Sequence, residues 1–172
     1  MTDTTAPSAH LLALLEPILA RVAALDPAAR HTPEAIRELE AILEDEFPHD
    51  GPQVQEIGAA LARGVREGWL ANRGEDDSRF SRVAKAGPET HGLSIDVVSM
   101  IGPAVAHTHP QGEVTLGFPA EGVLDPHSCQ FEERAPAWVF MPPGSRHIPT
   151  VTGARMNLVY FLPNGAVEWH FG

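Results

Sequence analysis

The sequence is poor in cysteine and in positive charge, and each shortage argues against a class of protein. The single cysteine, Cys129, excludes an intrachain disulfide and favours a reducing compartment. Lys and Arg total 12 against 23 Asp and Glu, which gives a formal net charge of -11. We therefore expect neither nucleic acid nor an anionic membrane as a partner. An anionic small substrate would need a locally basic pocket.

Long hydrophobic runs are also scarce. No apolar stretch approaches the ~20 residues that a bilayer-spanning helix needs, and residues 1–8 show no basic segment followed by a cleavage pattern. We therefore expect a cytoplasmic protein. Its 172 residues, 43% of them hydrophobic, allow one sizeable core, or a core with a helical attachment.

Residues 1–74 carry helical periodicity. Residues 1–8 should be frayed, and a first helix should follow Ser8 as N-cap, kinked or split at Pro17. Thr32 is a good N-cap for a second helix. A third helix is predicted over 53–71. About three helices are therefore expected in this segment.

After Gly74 the pattern changes to short apolar runs punctuated by glycine and proline. About eight short strands are expected, and Pro163-Asn164-Gly165 is typical of a hairpin between the last two. The sequence thus predicts an α+β, mainly β protein, with a helical segment over 1–74 and a β-barrel or jelly roll over 75–172.

Two short motifs carry the chemistry. The first, His107-Thr108-His109-Pro110-Gln111-Gly112-Glu113, supplies two imidazoles and a carboxylate, and the second, Pro142-Pro143-Gly144-Ser145-Arg146-His147, supplies a third imidazole. Alternation along a strand places the first two histidines on one face. Such a ligand set suits a divalent transition metal with open positions for water or substrate.

These motifs resemble the two motifs of the cupin family. The glycine before the first histidine, Gly102, is one residue nearer than usual, and Val151 stands where an asparagine is usual. In cupins the corresponding side chains point into a barrel and hold one metal. The resemblance therefore implies a cupin-type jelly-roll barrel with metal ligands at His107, His109, Glu113 and His147.

A longer stretch, from Gly102 to His170, resembles the family of 4-hydroxylaminobenzoate lyases, which also have a helical segment before the barrel. This resemblance implies conversion of 4-hydroxylaminobenzoate to 3,4-dihydroxybenzoate with release of ammonia, as a step in nitrobenzoate degradation. The implied cofactor is one divalent metal, and zinc, iron and manganese remain open because no redox change is required.

The implied substrate is a small aromatic acid, which needs a cation and an apolar surface. Arg146 and Arg155 are candidates for its carboxylate, although strand alternation directs Arg146 away from the barrel interior. Arg82 and Arg79 are further candidates. Trp138 is a candidate for stacking on the ring, as is Trp169.

Proton transfer could come from residues near the carboxyl end of the chain. His170, Glu168 and Tyr160 are the candidates for a general acid or base. A cupin dioxygenase using Fe(II) on an aromatic or thiol substrate, and a non-catalytic cupin binding module, remain alternative functions. A homodimer is expected, because the apolar stripes of the helices must be buried against some surface and cupin barrels commonly pair.

Overall fold

The computed structural model describes residues 5–171, and within this range three α-helices precede ten β-strands. The helices are α1 (Thr5–Ala24), α2 (Pro33–Glu46) and α3 (Pro52–Glu67). The strands are β1 (Arg73–Glu75), β2 (Ser78–Ala84), β3 (Leu93–Pro103), β4 (His107–His109), β5 (Glu113–Pro119), β6 (Gln130–Phe131), β7 (Trp138–Met141), β8 (Ser145–His147), β9 (Thr150–Pro163) and β10 (Glu168–Trp169). The predicted order, helices first and then a barrel, is confirmed.

The helix ends agree only partly with the sequence patterns. Thr32 caps α2, since its hydroxyl accepts a hydrogen bond of 3.1 Å from the backbone N–H of Ala35. Ser8 instead lies inside α1, which continues without a break through Pro17. The expected fraying concerns residues 1–8, of which 1–4 lie outside the described residues and 5–8 are helical. Helix α3 ends before Gly68, whose φ of 84° stops the helix earlier than predicted.

The prediction about long apolar stretches was wrong for α1. Residues Pro7–Ala29 are long and apolar enough to cross a membrane by length and composition, with a mean hydropathy of 1.5. The few charged residues in this segment interrupt its apolar runs, so that its high mean hydropathy is not apparent from the sequence. In the structure α1 packs against α3 through a buried stripe: Leu11, Leu15, Ile18, Leu19 and Val22. A one-sided buried stripe of this kind is typical of an amphipathic helix that packs on a core.

The strands form two antiparallel sheets. Seven strands make the larger sheet in the order β1-β2-β3-β9-β5-β7, with β6 also paired to β9. The smaller sheet has the order β10-β4-β8. Side-chain alternation gives the larger sheet two different faces. Its inner face carries the interior cluster of Met100, Val139, Met156, Leu158 and Tyr160. This arrangement is a cupin-type jelly roll.

The outer face of the larger sheet is covered by the helices. Its apolar residues join the helix stripes in one continuous core: Leu93, Ile95, Val97, Val114, Leu116, Phe118, Trp138, Phe140, Val159 and Phe161. The indole N–H of Trp138 donates to the backbone carbonyl of Phe47 at 2.9 Å. The helical segment therefore packs on the barrel, and the division into domains at residues 74 and 75 stays a prediction.

The turn at Pro163-Asn164-Gly165 does not make the predicted hairpin. Asn164 and Gly165 both adopt positive φ, as a tight turn requires. However, Asn164 donates its backbone N–H to Gly92 and its side-chain amide to Gln111. The chain then crosses to the smaller sheet, where β10 pairs with β4. This crossing places β10 beside the histidine motif of β4.

Candidate metal centre

The two sequence motifs meet between the sheets. His107 and His109 lie on β4, Glu113 begins β5 and His147 ends β8. Candidate ligand atoms from these four side chains all lie within 4.8 Å of one another. His107, His109 and Glu113 are buried, and His147 is only partly exposed. The four predicted ligands are therefore brought into one cluster.

Local backbone geometry explains how the cluster assembles. The register of β4 and β8 places His147 directly opposite His107, so the two side chains share a face. Gly112 turns the chain from β4 into β5 with a φ of 87°. A Cβ at this position would meet the ring of Phe140 at 3.0 Å and the carbonyl of Met141 at 3.2 Å. Glycine thus permits the turn that aims Glu113 at the histidines.

The ring nitrogens of the histidines converge closely. The Nε2 atom of His147 lies 2.9 Å from that of His109 and 3.1 Å from that of His107. The Nδ1–H group of His107 donates to the carbonyl of Val105 at 3.1 Å, which leaves its Nε2 atom bare. Unshared electron pairs this close repel one another unless a cation lies among them. The donor set therefore fits a metal ion.

Electrostatics support the same conclusion. Burial lowers the pKa of His107 to about 4 and that of His109 to about 3, with repulsion between the histidines adding to the effect. Both rings are neutral at pH 7, as metal ligands must be. Burial raises the pKa of Glu113 to about 8, although Thr115 donates a hydrogen bond of 2.8 Å to its carboxylate. A cation would favour the ionised form of this group.

Tyr160 lies on the inner face of the larger sheet, close to the cluster. It stands opposite Thr115, whose side chain bonds Glu113. Burial, followed by the negative charge of Glu113, raises the pKa of the Tyr160 hydroxyl well above its usual value. Tyr160 is therefore neutral and keeps its proton. Of the three candidates for proton transfer, it is the one on the ligand side.

The other two candidates, and one arginine, occupy the opposite face of the smaller sheet. Glu168 and Arg146 each pair with Thr108, which alternates with the two histidines of β4. His170 shares a hydrogen bond of 2.7 Å with the hydroxyl of Thr108. The structure therefore places Glu168, His170 and Arg146 on the face away from the ligands, as strand alternation predicted for Arg146, and the roles of these three residues stay predictions.

The side chains of Arg155 and Trp138 also make their contacts away from the ligand cluster. Arg155 donates to the carbonyl of Ser99 at 3.0 Å and to the carbonyl of Asp76, so it fastens the turn between β1 and β2. Trp138 is 1% exposed, and it lies on the outer face of the larger sheet beneath the helices. Neither side chain is placed to contact a substrate at the cluster. Trp138 points to the outer face because side chains alternate along β7. Arg155 is held by its hydrogen bonds to the two carbonyl groups.

Two further candidates from the sequence, Trp169 and Arg82, lie on sheet faces that carry His107 and Tyr160, respectively. Trp169 pairs with His107, and its ring lies edge-on to that imidazole with ring centroids 5.0 Å apart. It is 54% exposed. Arg82 lies in one cross-strand row with Asp96 and Tyr160 on the inner face. Strand register, which motif spacing does not reveal, determines both placements.

Comparison with known proteins agrees with the sequence resemblance. A family model described as "PnbB: 4-hydroxylaminobenzoate lyase" matches residues 22–169. A 4-hydroxylaminobenzoate lyase from Nocardioides sp. (strain LMS-CY) is 30% identical over 142 residues, which cover 77% of this chain and 81% of that protein.

Solved structures with lower similarity include cupins. An RmlC-like cupin from Ralstonia eutropha JMP134 is 16% identical, with a TM-score of 0.39 over 55% of this chain and 68% of that one. An oxalate oxidase in complex with the substrate analogue glycolate is 20% identical, with a TM-score of 0.39 over 55% of each chain. Because the family model covers most of the chain, the protein belongs to the 4-hydroxylaminobenzoate lyase family.

Proposed function

We propose that the protein is a metal-dependent lyase that converts 4-hydroxylaminobenzoate and water to 3,4-dihydroxybenzoate and ammonia. The observation that carries the proposal is the convergence of three imidazole nitrogens and the Glu113 carboxylate, in a chain of this family. His107, His109, Glu113 and His147 would hold one divalent metal. When bound, that metal supplies Lewis acidity and a source of hydroxide at neutral pH.

The reaction balances without an external oxidant or reductant. Cleavage of the N–O bond takes up the electrons that the ring loses, and a C–O bond forms at the carbon beside the nitrogen-bearing carbon. The hydroxylamine oxygen leaves as water, one water supplies the new C–O bond, and a second water hydrolyses the resulting C=N bond and releases ammonia before the ring becomes aromatic again, so that one water is consumed overall. Because the metal need not change its oxidation state, zinc, iron and manganese are all compatible with this reaction.

We assign three tasks around the cluster to described residues. Tyr160, held protonated by burial, donates a hydrogen bond to the departing hydroxylamine oxygen. Trp169 offers an exposed aromatic face at the rim beside His107, suited to the substrate ring. Arg82 is the candidate for the substrate carboxylate.

The geometry of Arg82 supports that assignment. Among the four arginines considered from the sequence, it shares the row of Tyr160 on the inner face. Its Nε and Nη2 atoms bind Asp96 at 2.9 and 3.2 Å, which fixes the plane of the guanidinium. The remaining N–H groups are then oriented to meet a carboxylate.

The setting of the reaction is part of the proposal. We infer a role in nitrobenzoate degradation, in the cytoplasm, with the protein as a homodimer and without a nucleic acid or membrane partner. Light scattering at two protein concentrations tests the dimer.

An anaerobic assay tests the proposed reaction. Protein purified without chelator is analysed for metal content and then mixed with 4-hydroxylaminobenzoate in the absence of oxygen. Ammonia and 3,4-dihydroxybenzoate should appear in equal amounts, and His107→Ala should abolish both. Turnover that requires oxygen would instead identify a dioxygenase. Full turnover by both His107→Ala and Glu113→Ala, with circular dichroism unchanged, would refute a metal-centred reaction.

A further inference from the structure

The turn after β6 contains two consecutive residues in an unfavourable backbone conformation. Glu132 and Glu133 have φ angles of 52° and 63°, in the left-handed region that residues with a side chain seldom adopt. Each such residue costs roughly 1 kcal/mol or more. Neither is glycine or asparagine, so the sequence makes no local provision for this turn.

The turn places the side chain of Glu132 behind one of the metal-site histidines. Its Oε1 atom lies 3.5 Å from the Nδ1 atom of His147, within ion-pair distance and slightly long for a hydrogen bond. The same oxygen accepts a hydrogen bond of 2.9 Å from the backbone N–H of Thr150. The backbone N–H of Glu132 donates in turn to the carbonyl of Thr150 at 3.1 Å. The carboxylate is thereby held in place.

The Nδ1 atom of His147 has no closer partner among the described residues. It is fully buried, and no hydrogen bond of ordinary geometry reaches it. On the other side of the ring, its Nε2 atom faces those of His107 and His109. A carboxylate behind Nδ1 favours the tautomer that carries its proton there and leaves Nε2 free to bind a cation.

We propose that Glu132 is a positioning residue for the metal centre, orienting the His147 ring and increasing the electron density on its Nε2 atom. The inference rests on the proposed metal site and adds to it a residue outside the ligand cluster. Carboxylates behind metal-bound imidazoles generally act in this way. The turn closes a two-residue hairpin between Phe131 and Arg134, for which positive φ at both central residues is usual, and it also delivers the carboxylate to His147 Nδ1.

Metal affinity provides the test, with the neighbouring glutamate as a matched control. Glu132→Gln removes the charge but keeps an oxygen that can accept from Thr150. Glu133→Gln removes the same charge from an exposed side chain in the same turn. Competition with a chromophoric chelator should show cobalt or zinc binding weakened about 10- to 100-fold in Glu132→Gln. Glu133→Gln should bind like the wild type.

The absorption spectrum of the cobalt-loaded protein gives a second measurement that a purely structural role would leave unchanged. The visible bands should shift in Glu132→Gln and remain in place in Glu133→Gln. Glu132→Asp, which retains the charge on a shorter side chain, should bind cobalt with an intermediate affinity. This variant also serves if the glutamine variant fails to fold.

The outcomes separate this inference from the proposed function. A wild-type protein that binds no divalent metal would overturn the metal-dependent function, and the role of Glu132 with it. Metal binding by the wild type with equal affinity and an unchanged cobalt spectrum in Glu132→Gln would overturn only the role of Glu132. Wild-type affinity in Glu132→Asp would overturn it as well.

Discussion

Replacing Glu113 by glutamine is expected to stabilise the metal-free protein while weakening its metal binding. The folded chain raises the pKa of Glu113 from its ordinary value of 4.5 to about 8. At pH 7 this side chain is therefore ionised in the unfolded chain and protonated in the folded one. Each pH unit between the unfolded pKa of 4.5 and pH 7 costs about 1.4 kcal/mol. The ionisation of Glu113 in the unfolded chain therefore lowers the free energy of unfolding by roughly 3 kcal/mol.

Glutamine removes this penalty and fits the same space. Its oxygen can accept the hydrogen bond that Thr115 now donates to Glu113 at 2.8 Å. Its amide can donate to the Nε2 atom of His109, which lies 3.1 Å from the other carboxylate oxygen. For a chain of this length, a gain of about 3 kcal/mol should raise the melting temperature by roughly 6–12 °C.

The pH dependence provides the distinguishing measurement. A raised carboxyl pKa favours folding below pH 4.5, and this contribution is lost as the pH rises towards 8. Urea unfolding of chelator-treated protein should therefore show the gain at pH 7 shrinking to about 1 kcal/mol or less at pH 5. Titration of His107 and His109 affects both proteins alike and cancels in the comparison.

Metal binding should change in the opposite direction. The Glu113→Gln variant lacks the anionic ligand. Its metal affinity should therefore fall by more than the ~10–100-fold loss expected for a residue that contacts a ligand but not the metal, such as Glu132. The exposed Glu133→Gln variant should change neither stability nor affinity. Glu113→Gln that is no more stable than the wild type at pH 7, or whose advantage is independent of pH, would refute the electrostatic account.

Three further predictions concern the proposed roles of Trp169, Arg82 and Tyr160. Trp169→Ala should raise KM about three- to tenfold with little change in kcat, since ring stacking contributes ~0.5–1.5 kcal/mol, and Trp169→Phe should restore most of the loss. Arg82→Gln should raise KM by roughly 10- to 100-fold, as expected for a charge-assisted hydrogen bond, whereas the outward Arg146→Gln should leave KM unchanged. Tyr160→Phe should lower kcat by about 10²-fold in steady-state assays, because it removes one donor at the reacting atoms. Equal effects of the two arginine variants, or an unaltered kcat for Tyr160→Phe, would contradict these assignments.

Motif spacing was sufficient to predict the ligand cluster's composition. His107 and His109 share a strand face by alternation alone, and the sequence of helices and short strands predicted the two parts of the fold. These features depend on local periodicity, which a single sequence displays directly.

The surroundings of the cluster depend on pairings between distant strands. The sequence predicted Glu168 and His170 at the site. However, β10 pairs with β4 in the register that places Trp169, and not these two residues, on the face of His107. A shift of one residue would exchange these faces. The contact of Glu132 with His147 depends on an unusual turn that no composition signal marks. Such features require the tertiary structure.

The shared core of helices and barrel has a consequence for folding. Phe47 and Trp138 are joined by a hydrogen bond across 91 positions of the chain, and α2 and α3 contact β7 and β9, respectively, while α1 packs on α3. During synthesis the helices leave the ribosome long before those strands exist. Their apolar stripes therefore remain exposed to other chains until most of the barrel has been synthesised. Expression at lower temperature or with chaperones should improve the yield of folded protein for this reason.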